Sequence, residues 1–160
     1  MSGVWKTFFI YLPFLVLLMI FYWSLNEVTV EYPIITVNDD VIMYDINYKY
    51  KTTLVPFIYD FTKEGRQTNY SELKELDLAE YPIESKVELN VSDMQYPISN
   101  MYIVYEGETS EIVYEGNFKS DITPYLSKAG KYRIALFSKL YRRFYYNGYV
   151  DYKFKIEVLG

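Results

Sequence analysis

Thr7-Phe-Phe-Ile-Tyr-Leu-Pro-Phe-Leu-Val-Leu-Leu-Met-Ile-Phe-Tyr-Trp-Ser-Leu-Asn26 is a stretch of sequence without a single charged residue. Twenty residues of α-helix rise about 30 Å, which matches the hydrocarbon thickness of a bilayer. A buried helix of a soluble domain is disfavoured because the stretch shows no polar face. The stretch therefore predicts a single transmembrane helix, which divides the chain into an anchor, residues 1–26, and a domain, residues 27–160.

The flanks of the stretch predict its orientation and its retention. Lys6 precedes it, whereas the first Lys or Arg after it is Lys49. The positive-inside rule then places the N-terminus in the cytoplasm and the domain outside. A cleaved signal peptide needs small residues at its cleavage site, and neither Ser24-Leu-Asn26 nor Trp23-Ser-Leu25 supplies them. We therefore expect a retained signal-anchor in the cell membrane, with lipid contact through residues 7–26.

The composition of the 160-residue chain narrows the classes of function. The chain has no Cys and no His, which excludes thiol nucleophiles, thiolate metal sites and histidine bases. A net charge of −5 argues against a nucleic-acid partner. Acidic pairs such as Asp39-Asp40 lack the loop spacing of a Ca²⁺ site, and we interpret them as turn and surface residues. We expect a non-catalytic domain without cofactor or metal, and an activity based on a carboxylate pair is the remaining enzyme alternative.

From residue 28 onwards the sequence predicts strands. From Ile42 to Lys51, aliphatic or aromatic side chains alternate with side chains that are mostly polar. This pattern is typical of a strand with one face inward. Turns are predicted at Asn38-Asp39-Asp40 and at Lys63-Glu-Gly-Arg66. Asn69 and Glu72 are spaced as in a capping box and Pro82 would end a helix, so one short helix is predicted over residues 69–81.

Two hairpins are predicted in the second half of the chain. Residues 100–105 pair with 111–115, and residues 131–145 face 149–159 across Asn147-Gly148. A two-residue loop in the second hairpin would bury charged side chains, whereas a three-residue loop with Gly148 in a bulge brings the apolar residues to one face. We prefer the bulged loop. It places these residues on the inner face: Leu136, Leu140, Phe144, Val150, Tyr152, Phe154, Ile156 and Val158.

The same register makes predictions about the outer face of this hairpin. Arg143 would lie opposite Asp151, and Tyr145 opposite Tyr149. Such cross-strand pairs contribute about 0.2–1 kcal/mol each.

The C-terminal half carries a resemblance to a known family. Leu126-Ser-Lys-Ala-Gly130-Lys-Tyr132-Arg-Ile134, with a hairpin ending in Tyr152-Lys-Phe154-Lys-Ile156-Glu-Val158, resembles the closing strands of bacterial immunoglobulin-like domains. The resemblance implies adhesion, spacing or display, and it carries over no catalytic residue. It also implies that the hydroxyl of Tyr132 bonds back to the chain, as in a tyrosine corner. The predicted fold is therefore mainly β: a transmembrane helix followed by an immunoglobulin-like antiparallel β-sandwich with one short helix.

The aromatic hairpin Tyr141-Arg-Arg-Phe-Tyr-Tyr-Asn-Gly-Tyr149 is the candidate binding surface. Exposed Tyr and Arg dominate binding hot spots, and aromatic faces suit the apolar faces of sugars. We therefore select Tyr141, Arg143, Tyr145 and Tyr149. The competing interpretation is that Tyr is the default strand residue of this chain, since of its 20 Tyr only Tyr11 and Tyr22 lie in the apolar stretch.

Two functions follow from these observations. The first is a membrane-anchored, non-catalytic extracytoplasmic module at the cell surface. It would act as a protein-interaction or accessory subunit, with a protein partner outside the membrane or within a larger membrane complex. The alternative is a cell-envelope glycan-binding module that uses the aromatic hairpin.

Overall fold

A computed structural model describes residues 3–24, 30–55, 59–68, 78–142 and 146–160. Within these ranges the chain forms one α-helix, ten strands and a short 3-10 helix at Thr123–Tyr125. In chain order the helix and strands are α1 (Gly3–Ser24), β1 (Ile34–Val37), β2 (Asp40–Val41), β3 (Asp45–Val55), β4 (Tyr59–Thr68), β5 (Ala79–Pro82), β6 (Leu89–Ser92), β7 (Ile98–Glu106), β8 (Ser110–Gly116), β9 (Gly130–Arg142) and β10 (Tyr146–Leu159).

Helix α1 corrects the prediction of a transmembrane anchor. Its side chains are described over residues 7–20. No helix in the described part of the chain is long and apolar enough to cross a membrane. The predicted single-pass helix is therefore wrong, whereas the predicted localisation, orientation and lipid contact stay predictions.

The strands form two sheets. The small sheet has the order β2-β1-β6, and the large sheet has the order β4-β3-β10-β9-β7-β8. Strand β10 is the centre of the large sheet, because β9 pairs along one edge and β3 along the first half of the other. Strand β5 runs parallel to the last residues of β10 and continues the position of β3. The mainly β, sandwich-like part of the predicted fold is thus supported.

The hydrophobic core lies between the two sheets. The large sheet contributes side chains such as Ile46, Leu136 and Tyr152, and the small sheet contributes Ile35 and Leu89, all fully buried. Burying an aliphatic side chain of this size stabilises the fold by about 1.5–3 kcal/mol. The inward faces predicted for β3, for the segment before it and for β9 and β10 are confirmed at these buried residues: Ile42, Tyr44, Ile46, Tyr50, Leu136, Leu140, Val150, Tyr152, Phe154, Ile156 and Val158.

The predicted turn after β1 is confirmed. Asn38 and Asp39 connect β1 to β2 with φ angles of 50° and 68°. Two successive residues with positive φ define the type I′ turn, whose twist matches a two-residue hairpin. The Asn38 side chain donates a hydrogen bond to the Lys86 carbonyl at 2.8 Å and accepts one from the Glu88 amide at 2.7 Å. This turn therefore also ties β1 to the segment that leads into β6.

Tyr132 makes the hydrogen bond predicted for it. Its hydroxyl donates to the carbonyl oxygen of Lys128 at 2.8 Å and accepts from the amide of the same residue at 3.0 Å. Both bonds cross the turn before β9 and satisfy backbone groups beside a buried ring. The immunoglobulin-like resemblance that suggested them stays a prediction.

Two local predictions in the first half of the domain are wrong. Residues 63–66 lie inside β4, paired with β3, rather than in a turn. A Cβ at Gly65 would meet the far end of the Tyr48 side chain across the strand pair, and that ring would have to shift. The helix predicted over residues 69–81 does not reach its C-terminal end, since Ala79–Pro82 forms β5. Residues 69–77 of that prediction lie outside the described residues.

The hairpin of β9 and β10 has the predicted faces but a different register. Arg142 pairs with Tyr146 and Gly130 with Val158, so Asn147 and Gly148 lie within β10 rather than at the turn. Gly148 is required in the strand because a Cβ there would collide with the Lys49 carbonyl oxygen of β3. The predicted register would have placed Arg142 opposite Tyr152, so the two registers differ by six residues along β10. The faces survive because a shift by an even number of residues keeps the same side chains on each face.

Candidate functional site

The candidate site is on the outer face of the large sheet, the face turned away from the small sheet. On β9 and β10 this face carries the odd-numbered side chains, such as Phe137, Lys139, Tyr149 and Asp151. They alternate with the buried residues because successive side chains of a strand point to opposite faces. The sheet therefore fixes the spacing of these groups.

Three aromatic rings cross the outer face in a continuous line, which we call the aromatic strip: Tyr102 of β7, Phe137 of β9 and Tyr149 of β10. The Tyr102 and Phe137 ring centroids are 5.1 Å apart, in an edge-to-face arrangement with an interplanar angle of 69°. Phe137 and Tyr149 are 6.5 Å apart with an angle of 50°. Tyr149 is the most exposed of the three, with 44% of its surface accessible. Its ring is thus supported on one side and open to solvent on the other.

An open groove of about 330 Å³ lies beside Tyr149. Its lining crosses three strands, with Asn47 and Lys49 from β3, Glu64 from β4, and Tyr149 and Asp151 from β10; Tyr48 and Gly65 complete it. Small-molecule sites commonly measure about 300–1,000 Å³, so the groove has room for one small ligand unit.

Asp151 supplies the carboxylate of the groove. Its side chain is only 4% exposed and lies between Phe137 and Asn47, its partners on β9 and β3. The Lys153 ammonium lies 2.7 Å from Oδ2, and the Asn47 side-chain amide donates to the same oxygen at 3.4 Å. A nearly buried polar side chain needs such partners to offset its loss of contact with water, and the two contacts also fix its orientation. Asp151 is therefore a fixed acceptor.

The rim of the groove is an exposed ion pair. Lys49 Nζ and Glu64 Oε2 are 3.0 Å apart on neighbouring strands. The hydrogen bond that Lys49 donates to Glu64 raises the pKa of Lys49 above its usual value, with smaller contributions from the Glu64 charge and from Tyr149. Lys49 therefore carries its charge throughout the neutral pH range, and it lies opposite Tyr149 on the neighbouring strand.

Charged side chains elsewhere on the outer face are also paired. Lys155 Nζ lies 2.8 Å from Glu106, and Arg133 Nε lies 3.7 Å from the same carboxylate. Tyr102 bonds to the Glu115 side chain, which raises the pKa of its hydroxyl. The exposed Lys139, opposite Tyr149 on β9, makes no ion pair with a described residue.

The structure brings one of the four predicted binding residues to this site. Tyr149 lies at the junction of the aromatic strip and the groove. The backbone of Tyr141 lies in β9 opposite Asn147, and its side chain falls outside the description. Arg143 and Tyr145 lie outside the described residues. The predicted cross-strand pairs are replaced: Asp151 lies opposite Phe137, and Tyr149 opposite Lys139.

Sequence reasoning missed Tyr102, Phe137, Asn47 and Asp151. Tyr102 and Phe137 are far apart in sequence and meet only because β7 lies beside β9. One signal was present in the sequence, since Phe137 is an aromatic residue at an odd, outward position of a strand whose even positions are apolar.

In the described part of the chain no group of three or more acidic residues is arranged to hold a metal ion. The groove instead combines an exposed aromatic ring with hydrogen-bond donors and acceptors. No protein-family model matches the chain, and neither a curated protein nor a solved structure is significantly similar to it.

Proposed function

We propose that this chain is a non-catalytic recognition module, an interaction or accessory subunit that binds through the outer face of the large sheet. The observation that carries the proposal is the aromatic strip of Tyr102, Phe137 and Tyr149 beside the groove. Aromatic side chains provide large contact area at a low cost in conformational entropy, because they have only two rotatable bonds.

The scaffold beneath the strip supports this proposal. Strands β7, β9 and β10 are each paired along both edges, so the three rings stand on the interior of the sheet. Binding groups on strands are held more precisely than those on loops. The strip is thus pre-organised, which lowers the entropy lost on binding.

The abundance of Tyr does not by itself explain the strip. Tyr44, Tyr132 and Tyr152 are almost fully buried, and they satisfy the preference of strands for broad rings in the core. Tyr149 has the same strand environment but turns its ring to solvent. We therefore assign Tyr44, Tyr132 and Tyr152 to the core and Tyr149 to binding.

Two classes of partner remain in this proposal: a protein, as in an accessory subunit, or an envelope glycan. The position of the domain outside the cytoplasm stays a prediction. A protein and a glycan would both contact the same outer face, and the chemistry of the groove favours the glycan.

Photo-crosslinking tests the proposal. We would place a benzophenone amino acid at Lys139, exposed beside Tyr149, and at Lys119 as a matched exposed control away from the sheet face. Illumination in cells of the source organism is expected to give a discrete adduct from position 139 and none from 119. Adducts from position 119 alone, or none from either position, would show that the outer face is not the binding surface.

A further inference from the structure

We infer, resting on the proposed recognition function, that the groove beside Tyr149 binds a neutral oligosaccharide. One face of a sugar ring would lie on the Tyr149 ring, and its hydroxyl groups would reach Asn47, Asp151 and Lys49. These four side chains all line the same groove.

The first argument is charge. Two cations, Lys49 and Lys153, face two anions, Glu64 and Asp151, at 3.0 Å and 2.7 Å. Each of these four charges is thus compensated by a neighbour, and a charged ligand would have to compete with these pairs. Lys139, opposite Tyr149 on β9, does not line the groove. An anion-binding site would instead present a surplus of cationic or N–H donors. A neutral ligand leaves both pairs intact.

The second argument is the mixture of donors and acceptors. A carboxylate offers about four acceptor sites, of which Lys153 and Asn47 use two at Asp151. The Lys49 ammonium and the Asn47 amide supply donors within the same groove. A hydroxyl group both donates and accepts, so a ligand rich in hydroxyls is served by such a mixed lining, whereas a phosphate group mainly accepts.

The third argument is ring geometry. The interplanar angles of 69° and 50° mean that the three rings do not form one flat platform. Phe137 contacts Tyr149 from the side, which leaves the exposed part of the Tyr149 ring for one sugar unit. Specific recognition should therefore depend on the ring of Tyr149 more than on its hydroxyl.

The size of the groove argues against a protein as the occupant of this site. A stable protein interface buries about 800 Å² on each partner and desolvates its centre. Here the Lys49–Glu64 pair is half-exposed or more, with 51% and 68% of the side chains accessible, and covering it would cost desolvation free energy. A single small ligand unit can fill the groove while this rim stays hydrated.

The test is a binding titration of the full chain. The protein would be purified in a detergent without a sugar headgroup, because such a headgroup would compete for the site. Calorimetric titrations would use neutral hexasaccharides of glucose, mannose and N-acetylglucosamine, and an acidic hexasaccharide of galacturonic acid. The variants are Tyr149→Ala, Tyr149→Phe and Tyr32→Ala, the last removing a ring that is 52% exposed and lies outside the strip.

We expect at least one neutral hexasaccharide to bind saturably. Tyr149→Ala should weaken it about tenfold or more, a difference of about 1.4 kcal/mol, because it removes the apolar ring face on which the sugar would lie. Tyr149→Phe and Tyr32→Ala should stay within about threefold of the parent, a difference below 1 kcal/mol. If the circular dichroism spectrum shows that Tyr149→Ala does not fold, Tyr149→Leu replaces it, and we expect the same loss of affinity.

Three results would overturn the inference: no binding of any neutral hexasaccharide, tighter binding of the acidic one, or unchanged binding by Tyr149→Ala. The photo-crosslinking result then separates the two claims. If position 139 forms an adduct with a protein and none of the neutral hexasaccharides binds, the recognition function is supported and the glycan ligand is ruled out. A negative result in both experiments removes the recognition function as well.

Discussion

Substituting Gly148 tests the register of the central hairpin, on which the position of Tyr149 depends. A Cβ at this position would lie 2.5 Å from the Lys49 carbonyl oxygen and 2.5 Å from the Tyr50 Cβ, whereas ordinary contact begins at 3.4 Å. Gly148→Ala therefore forces β10 and β3 apart by about 0.9 Å. The groups that it meets are largely backbone, which cannot rotate away.

The expected loss of stability follows from this clash. Overpacking a well-packed site costs about 1–3 kcal/mol, and a backbone clash between two paired strands belongs in the upper part of that range. We expect Gly148→Ala to lower the free energy of unfolding by about 2–3 kcal/mol and Tm by roughly 4–12 °C. Urea denaturation followed by circular dichroism measures the change. Gly116→Ala is the matched control on edge strand β8, where a Cβ would meet the far end of the Tyr114 side chain, its hydroxyl at 2.9 Å, rather than backbone.

A second substitution at the same residue distinguishes the strand from a turn. Asn tolerates left-handed backbone, so Gly148→Asn would be milder than Gly148→Ala if Gly148 were the left-handed residue of a bulged loop. In a strand pressed against β3, the larger Asn side chain costs at least as much as Ala. A milder effect of Asn, or a loss below 0.5 kcal/mol for Ala, would refute the register and the placement of Tyr149 beside Lys49.

Two further substitutions test side-chain hydrogen bonds to the backbone, and a third tests the titration of a buried Tyr. Tyr132→Phe removes both bonds to the Lys128 backbone and should lower the free energy of unfolding by about 1–3 kcal/mol in urea, whereas Tyr149→Phe should change it by less than 0.5 kcal/mol. Asn38→Ala removes two bonds and places Ala at a φ of 50°, so a loss of about 1–3 kcal/mol is expected by thermal denaturation. Burial, and more weakly Tyr32, raises the pKa of Tyr44 to about 12, whereas an unfolded Tyr titrates near 10. This contribution to stability is present below pH ~10 and lost as the pH rises towards ~12, so Tyr44→Phe should show a shallower alkaline decline than the parent; an equal decline would contradict it.

The sequence predicted the two faces of the long strands but not their register. Alternation of apolar residues fixes which face is buried, and this is why Leu136, Leu140 and Tyr152 were placed correctly. The Asn147-Gly148 pair suggested a turn, although Gly148 is needed for the close approach of β3. A glycine can be needed either for a tight turn or for the close approach of a neighbouring strand. Only the position of β3 shows that the second reason applies to Gly148.

Non-local pairing explains the other differences. Gly65 suggested a turn but lies beneath the Tyr48 ring in β4, and residues 79–82 pair in parallel with the end of β10. Neither contact leaves a local signal. The apolar stretch of α1 predicted a membrane span that the described helix does not provide.

In the candidate site, too, residues brought together from distant parts of the chain could not be identified from the sequence. Tyr149 could be selected from the sequence because it lies in a short aromatic run, whereas Phe137 and Tyr102 required the strand order β7-β9-β10. The polar half of the groove depends on β3 lying beside β10, which brings Asn47 to Asp151. No pattern within either strand indicates that contact.

Competition between a sugar and the photo-crosslink from position 139 tests the central claim most directly. In an extract of the source cells, a saturating concentration of the neutral hexasaccharide that binds the purified chain should suppress the adduct from position 139. The acidic hexasaccharide should leave its yield unchanged. An adduct that forms equally well with and without the neutral sugar would contradict the claim that the aromatic strip and its groove form a glycan-binding surface.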